Sequence, residues 1–275
     1  MTAAPPWPLL GRLDPAGLVD ARLQAHHAVQ LVVSLAVSFL PAAPDDSHTN
    51  LEWLPGHALA GQAIPAGTGF RGALRFDPLM LLLLDSGGTV LDEYRLAGRT
   101  LAQAYRWLGE AVGTLGAAAG ALTGRKHYSI PDHPVASGTP FQPDDRASRE
   151  LAGYYEGASL ALTELARSRA DASAVRCWPH HFDIATLATT GPGRTIGAGL
   201  SPGDDSYSEP YYYVTPYPYP TGSLPPLRLG LWHTTAWVGA VLPASTFARA
   251  GSAAAQRETI QSFLAEAAGA CEALV

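Results

Sequence analysis

Two kinds of apolar period alternate along the chain, and their order outlines the architecture. From about Pro15 to Leu40, apolar residues recur at Val29, Val32, Val33, Ala36, Phe39 and Leu40, a helical spacing ended by Pro41. So much of the stretch is apolar that the helix is predicted to be mostly buried. After the turn-rich APDDS, the segments HTNLEWL, HALAGQAI, FRGALRF, LMLLLL and VLDEYRL are short, apolar and punctuated by Gly, Pro and Asp. That pattern predicts an antiparallel sheet, with Ser86-Gly87-Gly88 as a hairpin turn. Thr100 stands three residues before Gln103, the capping-box spacing, and Leu101, Tyr105, Leu108, Val112 and Leu115 form the inner face of the helix it opens.

The order then recurs. Past an aperiodic stretch over residues 120–144, a helix is predicted from Arg146 to Arg169, followed by strands at AVRCW, FDIATLA, TIGAGL, PYYYVTPY, LRLGLWH and WVGAVLP. A last helix aligns Ile260, Phe263, Leu264, Ala267, Cys271 and Leu274 on one stripe. The fold class predicted is α+β: two similar helix-sheet-helix units, residues 1–119 and 145–275, with mainly antiparallel strands and a pseudo-twofold internal duplication. The connection 120–144 is a linker or a lid, and a cleft between similar units is a common place for a small-molecule ligand.

Composition narrows the function classes. The chain has 275 residues, 47% of them hydrophobic, which suffices for a sizeable core. Eighteen Lys and Arg against 24 Asp and Glu give a formal charge of -6, and no basic cluster offers a footprint for nucleic acid. The only lysine is Lys126. The longest apolar runs fall short of the roughly 20 residues needed to span a bilayer, so no membrane partner is expected. The opening MTAAPPWPLLGRLDP lacks the pattern of a secretory signal, and Cys177 and Cys271 lack zinc-type spacing; both point to the cytoplasm and to core-filling thiols.

Candidate chemistry begins at Trp178-Pro179-His180-His181-Phe182-Asp183. If this is strand, His181 and Asp183 share a face, and with His233 they make the two-His-one-carboxylate set of a divalent metal, Fe or Zn. His26 and Gln30 lie four apart on the first helix, so both face one way and need partners if buried. They are candidate ligand-binding groups, and His48, entering the first strand, is a candidate catalytic group. Tyr211 and Tyr213 would line a pocket wall while Glu209 works beside Asp183, since a close pair of carboxylates supplies both an acid and a base. For the Tyr/Pro run the plainer reading is an edge strand that avoids pairing, or a docking edge for a partner. Nucleotide-binding glycine loops, the nucleophile elbow and H-E-x-x-H are all missing from the sequence.

The segments PHHFDIA, EPYYYVTPYPYP, AHHAVQ and SIPDHP, in their order here, resemble the bacterial domain-of-unknown-function family numbered 5996. The resemblance runs from about Leu13 to the last helix. It is strongest at Phe182-Asp183, at Glu209-Pro210 and in the Tyr/Pro run, with His26, Gln30 and His48 as further matches, while His180 and His181 depart from the pattern. It implies a stand-alone soluble bacterial protein of mixed helices and strands, transfers no activity, and favours His26, His48, Asp183 and Glu209 over His233. Together the residues point to an enzyme acting on a small molecule in a cleft, with non-catalytic small-molecule binding as the alternative.

Overall fold

The computed structural model describes residues 6–124 and 126–275. It is an α+β protein, as expected: five α-helices and two antiparallel sheets of five and six strands are present among the described residues. The chain divides into two compact units. The first comprises Asp20–Ala152 together with Cys177–Phe182; the second comprises residues 6–19, Gly153–Arg176 and Asp183–Val275. Among the described residues, no helix is long and apolar enough to cross a membrane.

In the first unit, helix α1 (Val19–Phe39) is buried over most of its length, including Val29, Leu31, Val32 and Leu35. Its sheet is a plain meander of β1 (Glu52–Leu54), β2 (Ala58–Ala60), β3 (Arg71–Arg75), β4 (Met80–Leu84) and β5 (Val90–Arg95). Two glycines let α1 lie close to it. A Cβ at Gly61 would come 3.1 Å from Val32 Cγ1, and one at Gly72 would run into Leu35 Cδ1. Ala60, Ala73, Met80, Leu82 and Leu84 form an apolar cluster with Leu54 packed against it. Helix α2 (Leu101–Thr114) opens with the predicted capping box: Gln103 N–H donates to Thr100 Oγ1 at 3.2 Å and Thr100 N–H to Gln103 Oε1 at 2.9 Å. Tyr94 of β5 stacks on Trp107 of α2 with ring centroids 5.0 Å apart.

The 120–144 connection is bonded back onto α1. Gln24 Oε1 accepts from Gln142 N–H at 2.8 Å and its Nε2 donates to Gln142 O at 3.1 Å, while His27 Nε2 donates to Pro131 O at 2.9 Å. Phe141 is fully buried and exchanges backbone bonds with Gly98 and Arg99.

Helix α3 (Asp145–Arg167) begins in the first unit and passes into the second at Gly153. The second sheet has the order β10-β11-β9-β8-β7-β6, with β6 at Arg176–Trp178, β7 at Asp183–Gly191, β8 at Arg194–Ser201, β9 at Tyr211–Tyr217, β10 at Leu231–His233 and β11 at Gly239–Pro243. Unlike the first sheet it is not a simple meander, because β11 returns between β10 and β9. After the single turn α4 (Ala244–Phe247), helix α5 (Ala253–Glu272) packs on β8, β9 and β11 through the predicted stripe, in which Ile260, Phe263, Leu264, Ala267 and Cys271 are buried. Gln256 clamps the start of the chain, with Leu10 N–H donating to its Oε1 and its Nε2 donating to Leu10 O, both at 2.9 Å.

Two local expectations are corrected. Residues 179–182 are a turn, so His181 and Asp183 do not sit on one continuous strand. Pro179 has no N–H to give a ladder, the Phe182 N–H closes onto Trp178 O at 2.7 Å, and Phe182 adopts φ 59. The Tyr/Pro strand β9 is interior, paired to β8 on one side and β11 on the other, so it offers no edge for docking. Pro216 is tolerated there because it lies beyond Val214, the last β9 residue paired with β11.

Candidate functional site

Within the first unit, a pocket of about 370 Å³ is lined by Val37 and Leu40 of α1, by Ala42, Asp46, His48 and Thr49, and by Lys126, His127 and Tyr128. That volume suits a small metabolite. Ser47–Thr49 is a single tight helical turn entered through Asp46 in the left-handed conformation, φ 59, which an Asp tolerates better than most residues. The turn sets His48 against the preceding loop, where its Nδ1 accepts the Ala43 N–H at 3.2 Å. An accepting Nδ1 carries no proton, so the ring's hydrogen is on Nε2. Asp46 Oδ2 meets His127 Nε2 at 3.0 Å. Lys126 is half-buried, and burial holds its ammonium below the ordinary lysine range.

Tyr128 ties this pocket to the predicted polar stripe of α1. Its hydroxyl donates to Gln30 Oε1 at 2.9 Å, and burial pushes its own ionisation above the usual phenol range. Gln30 Nε2 in turn donates to Pro179 O at 2.9 Å, and His26 Nε2 donates to the same oxygen at 2.9 Å. The His26 ring stacks on Phe182 at 4.9 Å and 8°, and Phe182 stacks on Phe76 at 6.1 Å and 2°. This sandwich holds Phe182 in its left-handed backbone, a conformation that costs a bulky residue about 1–3 kcal/mol. Burial lowers the His26 pKa to about 3, and that of His27 is lowered by the same cause. His26 and Gln30 therefore do face one way, but they face a main-chain carbonyl. They brace the 179–182 turn and position Tyr128 at the pocket.

In the second unit, Tyr211 and Tyr213 share one face of β9, with rings 6.3 Å apart. The Tyr213 hydroxyl donates to Asp183 Oδ2 and the Tyr211 hydroxyl to Asp204 Oδ2 at 2.5 Å. Tyr213 reaches Asp183 by crossing Gly199 of the intervening strand, where a Cβ would stand 2.5 Å from the phenol oxygen. Burial, then the bond to Asp204, raises the Tyr211 ionisation well above the phenol range. Glu209 does not work as a free acid beside Asp183. Both its oxygens are taken by Ser245 at the start of α4, from N–H at 2.5 Å and from Oγ at 2.9 Å.

His233 is held at both nitrogens: the Tyr207 hydroxyl donates to Nδ1 at 3.1 Å and Nε2 donates to Thr235 O at 2.6 Å. Its ring stacks on Trp237 with centroids 4.3 Å apart. His181 is exposed in the turn, its ring 4.5 Å from that of His180. Among the described residues, no group of three or more His, Cys, Asp or Glu side chains is placed to hold a metal ion, so the set His181, Asp183 and His233 is not assembled. The geometry fails because the H-x-D spacing acts as a ligand pair only on extended backbone.

The groups the sequence reading passed over are Asp46, Lys126, His127 and Tyr128. For Lys126, His127 and Tyr128 the one signal is that the lone lysine falls in a run of polar and aromatic residues, RKHYS, inside the connection read as a linker or a lid; Asp46 carries none. No protein-family model matches the chain, and neither a curated protein nor a solved structure matches it.

Proposed function

We propose that the chain is an enzyme acting on a small molecule, with its chemistry in the first-unit pocket rather than at the histidine turn. The observation that carries this reading is the pocket of about 370 Å³ in which His48, Asp46, His127, Lys126 and Tyr128 line one space over the apolar floor of Val37 and Leu40. His48 serves as the proton donor and acceptor, oriented by the Ala43 N–H in the way that a partner at one ring nitrogen commonly fixes the role of the other. The Asp46–His127 pair supplies a second proton-transfer couple. Membership of the family numbered 5996 and a cytoplasmic setting belong to the same proposal; two free, buried thiols support the latter.

The test is incubation of the purified chain with the small-molecule fraction of a bacterial extract, followed by mass spectrometry. A feature consumed by the wild type and spared by His48→Asn and Asp46→Asn supports the reading. Identical profiles with and without protein, or consumption that survives both substitutions, would overturn it.

Binding without turnover is the second reading. It is favoured by the engagement of Asp183, Glu209 and His233 in structural bonds, which leaves fewer reactive groups than the sequence suggested. A metabolite retained through native mass spectrometry, unchanged in mass and lost on His48→Asn, identifies that case.

A further inference from the structure

We propose that Lys126 is an amine nucleophile that captures a small aliphatic aldehyde or ketone as an imine in this pocket. The inference rests on the pocket being the functional site and names its substrate class. Three observations carry it. Lys126 is the only lysine of the chain, and it is half-buried where it lines the pocket, whereas lysines are mostly exposed. Among the described residues it enters no ion pair, and the one carboxylate of the pocket, Asp46, is taken by His127. The floor of Val37, Leu40 and Ala42 is aliphatic, which suits a short hydrocarbon body and not a polyanion.

Desolvation favours the neutral amine, so a larger share of Lys126 is in the nucleophilic form at neutral pH than for a lysine in water. The charged and titratable groups around it are Asp46, His48, His127 and Tyr128 in the pocket, with His26 and His27 close enough to feel its charge. In the step itself the Nζ lone pair forms a C–N bond to the carbonyl carbon. The C=O π bond breaks as the His48 Nε2–H hydrogen-bonds the oxygen, and one proton moves from Nζ to that oxygen to give the neutral carbinolamine. The carbinolamine then loses that oxygen as water together with the second Nζ proton, leaving the C=N bond and an unchanged neutral imidazole. One carbonyl compound and one amine give one imine and one water, with no change of oxidation state.

The test uses the full-length chain with butanal and sodium cyanoborohydride at neutral pH, which reduces any imine to a stable butyl-lysine, and N-acetyl-lysine amide in the same tube as reference. Butylation of the peptide containing Lys126 faster than the reference, as expected where burial favours the neutral amine, supports the proposal. It should also slow in His48→Asn. Labelling no faster than the reference, or no label on that peptide, overturns it. Lys126→Arg, checked for an unchanged melting curve, separates the two readings. Rapid butylation without any turnover in extract keeps the amine and sinks the enzyme. Turnover that survives Lys126→Arg, with slow butylation, sinks the amine and keeps the enzyme.

Discussion

His26 and Gln30 deliver their side-chain N–H groups to one acceptor, the carbonyl oxygen of Pro179, each at 2.9 Å and across about 150 residues of chain. The bond requires a proton on Nε2, and burial keeps the ring otherwise neutral by lowering the pKa from 6.5 to about 3, against the bond to Pro179 O, which favours the charged ring.

A dependence of stability on acid follows. Between pH 6.5 and about 3 the unfolded chain binds a proton at residue 26 and the folded chain does not. Stability from His26 is thus fully present above pH 6.5 and is lost as pH falls toward 3, with a limiting slope of about 1.4 kcal/mol per pH unit. His27 is shifted in the same direction and adds to it. Urea midpoints taken from pH 7 down to pH 4 should fall, and His26→Gln, which keeps an N–H donor and has no ionisation, should flatten the fall. An unchanged slope in that variant would contradict the assignment.

Removing Gln30 should cost more than its own bonds. In Gln30→Leu the Tyr128 hydroxyl loses its acceptor at 2.9 Å and the Pro179 oxygen loses one of two donors. A loss of about 1–3 kcal/mol is expected in chemical denaturation. Tyr128→Phe alone should cost less, and the double variant should cost less than the sum, because the two residues share one bond.

Gly199 is a steric requirement of the Tyr213–Asp183 bond. A Cβ there would stand 2.5 Å from Tyr213 Oη and 2.8 Å from Ile184 O, so Gly199→Ala should destabilise the fold by about 1–3 kcal/mol through overpacking. A thermal melt that does not move would show that Tyr213 does not cross the strand in this way.

Glu209 should prove structural. Glu209→Gln weakens its two bonds to Ser245, and the expected result is a melting temperature lowered by a few degrees, for about 1 kcal/mol, with ligand binding in the first-unit pocket unchanged. Loss of binding without loss of stability would return Glu209 to the list of functional groups.

Cys271 should be inert. Burial pushes its thiol up to about 12, and its Sγ donates to Val214 O at 3.7 Å. Ellman's reagent should therefore leave it untouched in the native protein and react fully in denaturant.

Elements governed by local chemistry were legible in the sequence. The Thr100–Gln103 box, the stripe of α5 and the common direction of His26 and Gln30 all follow from helical geometry, which depends only on residue spacing. The turn at 179–182 was not, because alternation of faces assumes extended backbone and Phe182 leaves it at φ 59. The interior place of β9 was also hidden: proline suggests an edge, yet Pro216 sits beyond the stretch that β11 covers. The pocket lay out of reach for a different reason. Asp46, Lys126, His127 and Tyr128 come from aperiodic segments joined by long-range bonds, where hydrophobic period carries no information.

The short segment Cys177–Phe182, counted with the first unit and stitched to it by the Leu51–Cys177 bridge, has a consequence for biosynthesis. While the ribosome is still adding residues in the 150s, α1 has long since emerged, yet the oxygen that its histidine and glutamine require has not been made. Nascent chains halted before residue 179 should therefore resist proteolysis less well than chains long enough to carry that residue clear of the ribosome, and no contiguous fragment ending at Ala152 carries the complete first unit.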